Sequence, residues 1–238
     1  MTKFVILRHG ESEWNKKNKF TGWEDVNLTE NGVNEAKSAG KILKDEGFSF
    51  DIAYTSMLKR AKETLIHCLA EMNDINNVSI FEDWRLNERH YGSLQGLNKK
   101  ETAKKFGNDK VLKWRRSYDI SPPKLSKEDL SHPSNNKKYS FISDVVLPSS
   151  ESLKNVLERF LPLWNDKILN SIKNQKKVII VAHGNSLRAL VKHIKGMTEK
   201  DIIDFNIPTG IPMIFELDDK FKTTKNYYLG NAKIIKEK

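Results

Sequence analysis

Apolar residues along the chain fall into two alternating patterns. Short unbroken runs, Phe4-Val5-Ile6-Leu7, Ile52-Ala53-Tyr54-Thr55 and Val178-Ile179-Ile180-Val181-Ala182, have the length of buried strands. Val78-Ser79-Ile80-Phe81 is a weaker run, and Met213–Leu217 and Thr224–Leu229 read as two more strands. Between them the period becomes helical. Thr29 to Glu46 spaces Val33, Ala36, Ala39 and Leu43 along one face, with Thr29 to cap the helix and Gly47 to end it. Ser56 can cap a second helix through Leu58, Leu65, Leu69 and Met72. Residues 98–116 read as two short helices broken near Gly107. A helix from about Glu151 to Ile172 should kink at Pro162, and another passes Leu187, Leu190 and Val191. Such alternation predicts an α/β fold: three layers, with a mostly parallel sheet flanked by helices on both faces. Residues 117–150 break the pattern. They hold four of the seven prolines (Pro122, Pro123, Pro133, Pro148) among many Ser, Lys and Asn, which predicts a surface insertion and a candidate lid. With no repeat or linker evident, the expectation is one domain over 1–238 with an inserted, loop-rich subregion at about 117–150.

Composition narrows the function. Hydrophobic residues make up 38% of the 238, enough for a folded core. Lys and Arg number 41 against 31 Asp and Glu, a net charge of +10. That surplus suits either anionic partners or a merely Lys-rich solvated surface. Cys68 is the only cysteine and sits in an apolar run, so no intramolecular disulfide can form and a reducing, cytoplasmic setting is expected. No leader and no apolar stretch of roughly 20 residues is present, so no membrane association is expected. No basic region interleaved with stacking aromatics stands out, so nucleic acid is not an expected partner. No side-chain cluster has metal-ligand spacing, so no metal is expected.

The chemistry lies in a repeated local design. The first strand runs into Arg8-His9-Gly10, and the strong late strand into His183-Gly184-Asn185. Ligands of open parallel sheets bind beyond the carboxyl ends of the strands. A lone histidine is usually structural; two matched strand–His–Gly units argue for a site. Neutral imidazole is nucleophilic near pH 7 without a metal, which suits capture of a phosphoryl group. The transferring group spreads its charge over three oxygens, so arginine forks should surround it. Arg8 adjoins His9, and Arg60 follows the second strand at the start of a helix, where an anion is also favoured.

These residues resemble the cofactor-dependent phosphoglycerate mutases of the histidine phosphatase superfamily. The resemblance covers nearly the whole chain, in RHGESEWN (8–15), FTGWEDVNLTENG (20–32), TSMLKRA (55–61), LNERHYGSLQGLNK (86–99), WRRSYDISPP (114–123), AHGNSLRAL (182–190), NIPTGIP (206–212) and YYLGNA (227–232). The Arg-His-Gly element alone marks only the superfamily; the 86–99 and 114–123 blocks point to the mutase branch. The resemblance implies that His9 is phosphorylated, that His183 donates a hydrogen bond to the transferring group, and that Arg8 and Arg60 clamp it with help from Asn15. Glu88 would be the general acid/base. Ser12, Thr21, Gly22, Tyr91, Lys99, Arg115, Arg116, Gly184 and Asn185 match substrate contacts of the family; His90 has no assigned role. The implied activity is interconversion of 3-phosphoglycerate and 2-phosphoglycerate in glycolysis and gluconeogenesis, primed by 2,3-bisphosphoglycerate, in a homodimer or homotetramer. Dominant bisphosphoglycerate mutase or phosphatase activity is the alternative on the same residues. Many family members carry a longer Lys- and Ala-rich tail that shields the phosphoenzyme from water. This chain runs eight residues past Gly230, so the balance between transfer and hydrolysis is expected to turn on that end.

Overall fold

Four apolar side chains in a row bury both faces of β1 (Thr2–Arg8) in the computed structural model, which describes residues 2–230. The tail, with Asn231 and Ala232, lies outside the described residues. Elements follow in the order α1 (Glu13–Lys16), α2 (Glu30–Asp45), β2 (Ile52–Thr55), α3 (Lys59–Glu71), β3 (Ser79–Glu82), α4 (Lys99–Phe106), α5 (Asn108–Arg116), α6 (Leu153–Leu163), α7 (Leu169–Lys173), β4 (Val178–Ala182), α8 (Gly184–Lys195), α9 (Asp201–Asp204), β5 (Met213–Leu217) and β6 (Thr223–Tyr228). The strands form one sheet in the order β3-β2-β4-β1-β5-β6. β3, β2, β4 and β1 run parallel, while β5 and β6 pair antiparallel on the other edge. This is the expected mostly parallel sheet.

Alternation along β1 and β4 sorts the core into two layers. Phe4, Ile6 and Ile180 pack against Phe160, Trp164 and Leu187. Val5, Leu7, Ile179 and Val181 pack on the opposite face with Leu43, Leu65 and Leu69. Each such fully buried leucine contributes about 1.5–3 kcal/mol over an exposed one. Close backbone approach fixes where α2 sits. A Cβ on Gly10 would overlap the carbonyl oxygen of Gly32, in the first turn of α2, and only glycine allows that contact.

Three expectations are corrected. Ser56 does not cap α3: the helix starts two residues later behind Leu58, which makes no side-chain cap bond. The helix expected from Glu151 begins at Leu153, capped by Ser152, and Pro162 interrupts its ladder. A π-turn at Trp164–Ile168 follows before α7. The 117–150 segment is irregular but not merely superficial. Tyr139, Ile142 and Leu147 are buried against Trp23, with Met57 and Trp84 alongside. Most of its charged residues face water and Tyr139, Ile142 and Leu147 form a satellite core, while Leu130, Phe141, Val145 and Val146 stay exposed. No helix of the described residues is long and apolar enough to cross a membrane.

Candidate active site

β1 and β4 are adjacent, with Arg8 opposite Ala182 in the ladder. The next residue of each strand is therefore a histidine, and the two imidazole centroids lie 5.0 Å apart at 60°. The His9 N–H donates to the Ala182 carbonyl at 3.0 Å, extending the ladder by one bond. His9 Nδ1 lies 2.7 Å from the Gly10 carbonyl oxygen. A carbonyl only accepts, so Nδ1 carries the proton and Nε2 carries the lone pair. Burial first, then the Arg60 and Arg8 charges, hold the His9 imidazolium well below its ordinary pKa of 6.5. His183 is shifted the same way, by burial and then by Arg60 and His9. Ser56, displaced from its expected capping role, brings its hydroxyl 2.7 Å from His183 Nε2.

Arg60 reaches this pair from the first turn of α3. Its Nε donates towards His9 Nε2 at 3.4 Å. The other nitrogens donate to the Glu24 and Gly22 carbonyls at 2.9 and 2.8 Å, so the fork is held rigid. Burial lowers its pKa to about 10, which leaves it charged at neutral pH. Arg8 donates to the Ile207 carbonyl at 2.7 Å, yet its Nε is buried without a partner. Gly184 makes room for that group: a Cβ there would come 3.3 Å from Arg8 Nε. An unpaired guanidinium N–H beside an unfilled space is what an oxyanion of the transferring group would satisfy.

A polar pocket opens beside the histidines. Of the residues singled out in the sequence, Arg8, Asn15, Thr21, Gly22, Glu88, Tyr91, Lys99, Arg115, Arg116, Gly184 and Asn185 line it. Lys19, Arg188 and Asn206 line it as well. His9, Arg60 and His183 are buried next to it, joined through Arg8, Gly22 and Gly184. Ser12 is not in the wall. Its hydroxyl caps α1 and donates to Asn15 Oδ1 at 2.8 Å, so it positions Asn15 instead. Burial lowers the pKa of Lys99 and of Arg116, and brings Arg188 to about 10. Arg188 Nη1 donates to Asn185 Oδ1 at 2.9 Å, and Asn185 Nδ2 donates to the Tyr91 hydroxyl at 3.3 Å. Burial raises the Tyr91 phenol, but the charge and hydrogen bond of Arg89 together with the Lys99 charge outweigh this and bring it below its ordinary value.

Among the described residues Glu88 is the only carboxylate in the wall, against six cations. Its carboxylate accepts from the backbone N–H of Arg89 at 2.7 Å and of Asn185 at 3.1 Å, the latter in the first turn of α8. Both donors orient the group without consuming every lone pair. Arg188 was detectable in principle, since it lies three residues after Asn185 on α8 and thus on the same face. Lys19 and Asn206 carry no such signal. Among the described residues no group of three or more His, Cys, Asp or Glu side chains is placed to hold a metal ion.

The family model of the histidine phosphatase superfamily, branch 1, matches residues 4–229. Solved structures share the architecture. A mycobacterial glucosyl-3-phosphoglycerate phosphatase in complex with vanadate is 19% identical, with a TM-score of 0.71 over 95% of this chain and 98% of that one. A candidate alpha-ribazole-5'-phosphate phosphatase of Escherichia coli is 18% identical, with a TM-score of 0.69 over 97% and 98%. The Bacillus stearothermophilus protein YhfR is 23% identical, with a TM-score of 0.67 over 94% of each chain. At these identities the likeness is one of fold.

Proposed function

The chain belongs to the histidine phosphatase superfamily, and from that premise we propose that it interconverts 3-phosphoglycerate and 2-phosphoglycerate through a phosphohistidine at His9. The observation that carries this reading is the charge of the pocket wall among the described residues, six cations and one carboxylate beside the two histidines. A simple phosphomonoester needs only the clamp around His9. Lys99, Arg115 and Arg116 add capacity for a second anionic group, as a phosphoglycerate or a bisphosphate carries. A doubly phosphorylated glycerate bears about four to five negative charges, a match for this surplus. The residues fit 2,3-bisphosphoglycerate, since Arg8 Nε is buried without a partner and Gly184 leaves the space beside it open. When bound, 2,3-bisphosphoglycerate supplies the phosphoryl group that loads the enzyme.

His9 Nε2 attacks phosphorus with its unprotonated lone pair, released from its long contact with Arg60 Nε, while Gly10 holds the Nδ1 proton and orients the ring. Arg8 and Arg60 stabilise the charge on the equatorial oxygens, and His183 donates to the same group. Glu88 protonates the departing hydroxyl of the substrate and removes the proton when that hydroxyl attacks phosphohistidine in the return step. Lys99, Arg115 and Arg116 hold the second anionic group, so the glycerate can present either hydroxyl to His9 without leaving.

Hydrolysis is the second reading, favoured by relatives of this fold that are named as phosphatases, one of them for a phosphoglycerate derivative. It uses the same residues with water as the acceptor. A coupled assay decides. With chelator present, 3-phosphoglycerate should give 2-phosphoglycerate, faster after 2,3-bisphosphoglycerate is added, with little phosphate released. Phosphate release matching or exceeding isomerisation would assign the protein as a phosphatase.

A further inference from the structure

The segment that carries Glu88 has almost no regular structure, only a single 3₁₀ turn at Trp84–Leu86. Its order is supplied from outside, by one buried ion pair. Arg159, on α6, donates from Nε to Glu151 Oε1 at 2.6 Å and from Nη2 to Glu151 Oε2 at 3.0 Å. The same guanidinium caps three carbonyls of the segment: Arg85 at 2.6 Å, Asn87 at 2.9 Å and Glu88 at 3.0 Å. Glu151 completes the frame by accepting from the His90 N–H at 2.8 Å. Trp23 Nε1 donates to the Glu88 carbonyl from the other side at 2.6 Å. The Arg159 and Glu151 side chains are 8% and 4% exposed, so solvent screens none of this.

We propose that Arg159 and Glu151 are positioning residues for the proton transfer performed by Glu88. This rests on the reading of Glu88 given above. Burying an ion pair costs desolvation that an apolar pair of similar volume would avoid, so its presence asks for another reason. The geometry supplies one. A planar fork with fixed N–H directions sets three carbonyls at once, which a flexible ammonium cannot do. The links to the Asn87 and Glu88 carbonyls fix the two peptide planes on either side of the Glu88 Cα, from which the carboxylate projects, and the His90 N–H anchors the chain just beyond. Neither residue of the pair lines the pocket, and Arg159 meets its wall only through the Glu88 carbonyl, so loss of the frame should affect proton transfer and spare capture of phosphate.

The test is a double-mutant cycle with R159K and E88Q, using two substrates. One is 3-phosphoglycerate; the other is an aryl phosphate whose leaving group departs without a proton, read as the pre-steady-state burst of released phenolate so that only phosphorylation of His9 is measured. R159K should lower kcat on 3-phosphoglycerate roughly ten- to hundredfold, with KM changed little and the aryl phosphate affected far less. In an E88Q background the same substitution should cost little more, because both act on one step. E151Q should behave as R159K does, and serves where R159K is too unstable to purify. Full turnover by E88Q would overturn the reading of Glu88 and the frame with it. An impaired E88Q, with R159K either fully active or multiplying the E88Q loss, would overturn the frame alone.

Discussion

Arg60 Nε points at His9 Nε2 from 3.4 Å, so the lone pair of that nitrogen faces a fixed cation. That contact cannot survive protonation of Nε2, and it works with burial to keep the imidazole neutral. Formation of phosphohistidine should therefore stay rapid well below pH 6.5, where an ordinary histidine would be half-protonated. Rapid-quench measurement of His9 phosphorylation between pH 7.5 and 5 checks this. An acid limb with a midpoint near 6.5 would contradict it. His9→Ala should abolish the phosphoenzyme altogether.

Stability should respond to the same histidines. His9 and His183 have depressed pKa values, and burial brings His90 down to about 3. The unfolded chain takes up protons near 6.5 that the folded chain refuses. Stability is thus full above that value and falls as the pH drops below it, with each such histidine able to contribute about 1.4 kcal/mol per pH unit. Urea midpoints between pH 7.5 and 5 should decline, and H90N should shallow the slope. A flat profile would show these groups to be accessible to protons when folded.

The second anionic group can be probed separately from the histidines. K99M and R116M should each raise KM for 3-phosphoglycerate by roughly ten- to hundredfold, as expected for losing a charged hydrogen bond. They should alter KM for a singly charged aryl phosphate much less. Equal effects on both substrates would mean that these side chains act on the transferring group instead.

Much of this site was legible in the strand ends. Apolar runs followed by His-Gly gave β1 and β4, and the crevice rule then placed both histidines at one sheet edge. The parts hidden from the sequence are those made by contacts distant along the chain. Ser56 looks like a helix cap because Ser commonly is one; its hydroxyl goes to His183, 127 positions away. Arg159 reads as an ordinary charge on an amphipathic helix until Glu151 and the Arg85–His90 backbone are folded around it. Ser12 matches a substrate contact within its motif, yet a one-turn helix starting there claims its hydroxyl first. Local propensity also misjudged the insertion. Its prolines and lysines are loop-like, but Tyr139 and Leu147 bury as core residues do.

Backbone packing at the start of α2 gives a further prediction. G10A places a methyl group on the Gly32 carbonyl, and the only relief is to move the helix or the end of β1. Overpacking of this kind should destabilise the fold by at least about 2 kcal/mol and also displace His9. Denaturant titration beside a phosphorylation assay would show both; unchanged stability would mean that the two segments part easily.

Because the Arg8–Ala182 pairing sets the spacing of the two imidazoles, the reactive centre inherits its tolerance from a hydrogen-bonded ladder. A single residue added to or removed from β1 or β4 would turn one ring to the opposite face of the sheet. An insertion or deletion in the irregular stretch between Ser117 and Ser150, which belongs to neither strand, would leave that spacing untouched. The distance between the two imidazoles is thus set by the sheet and not by the loops around it.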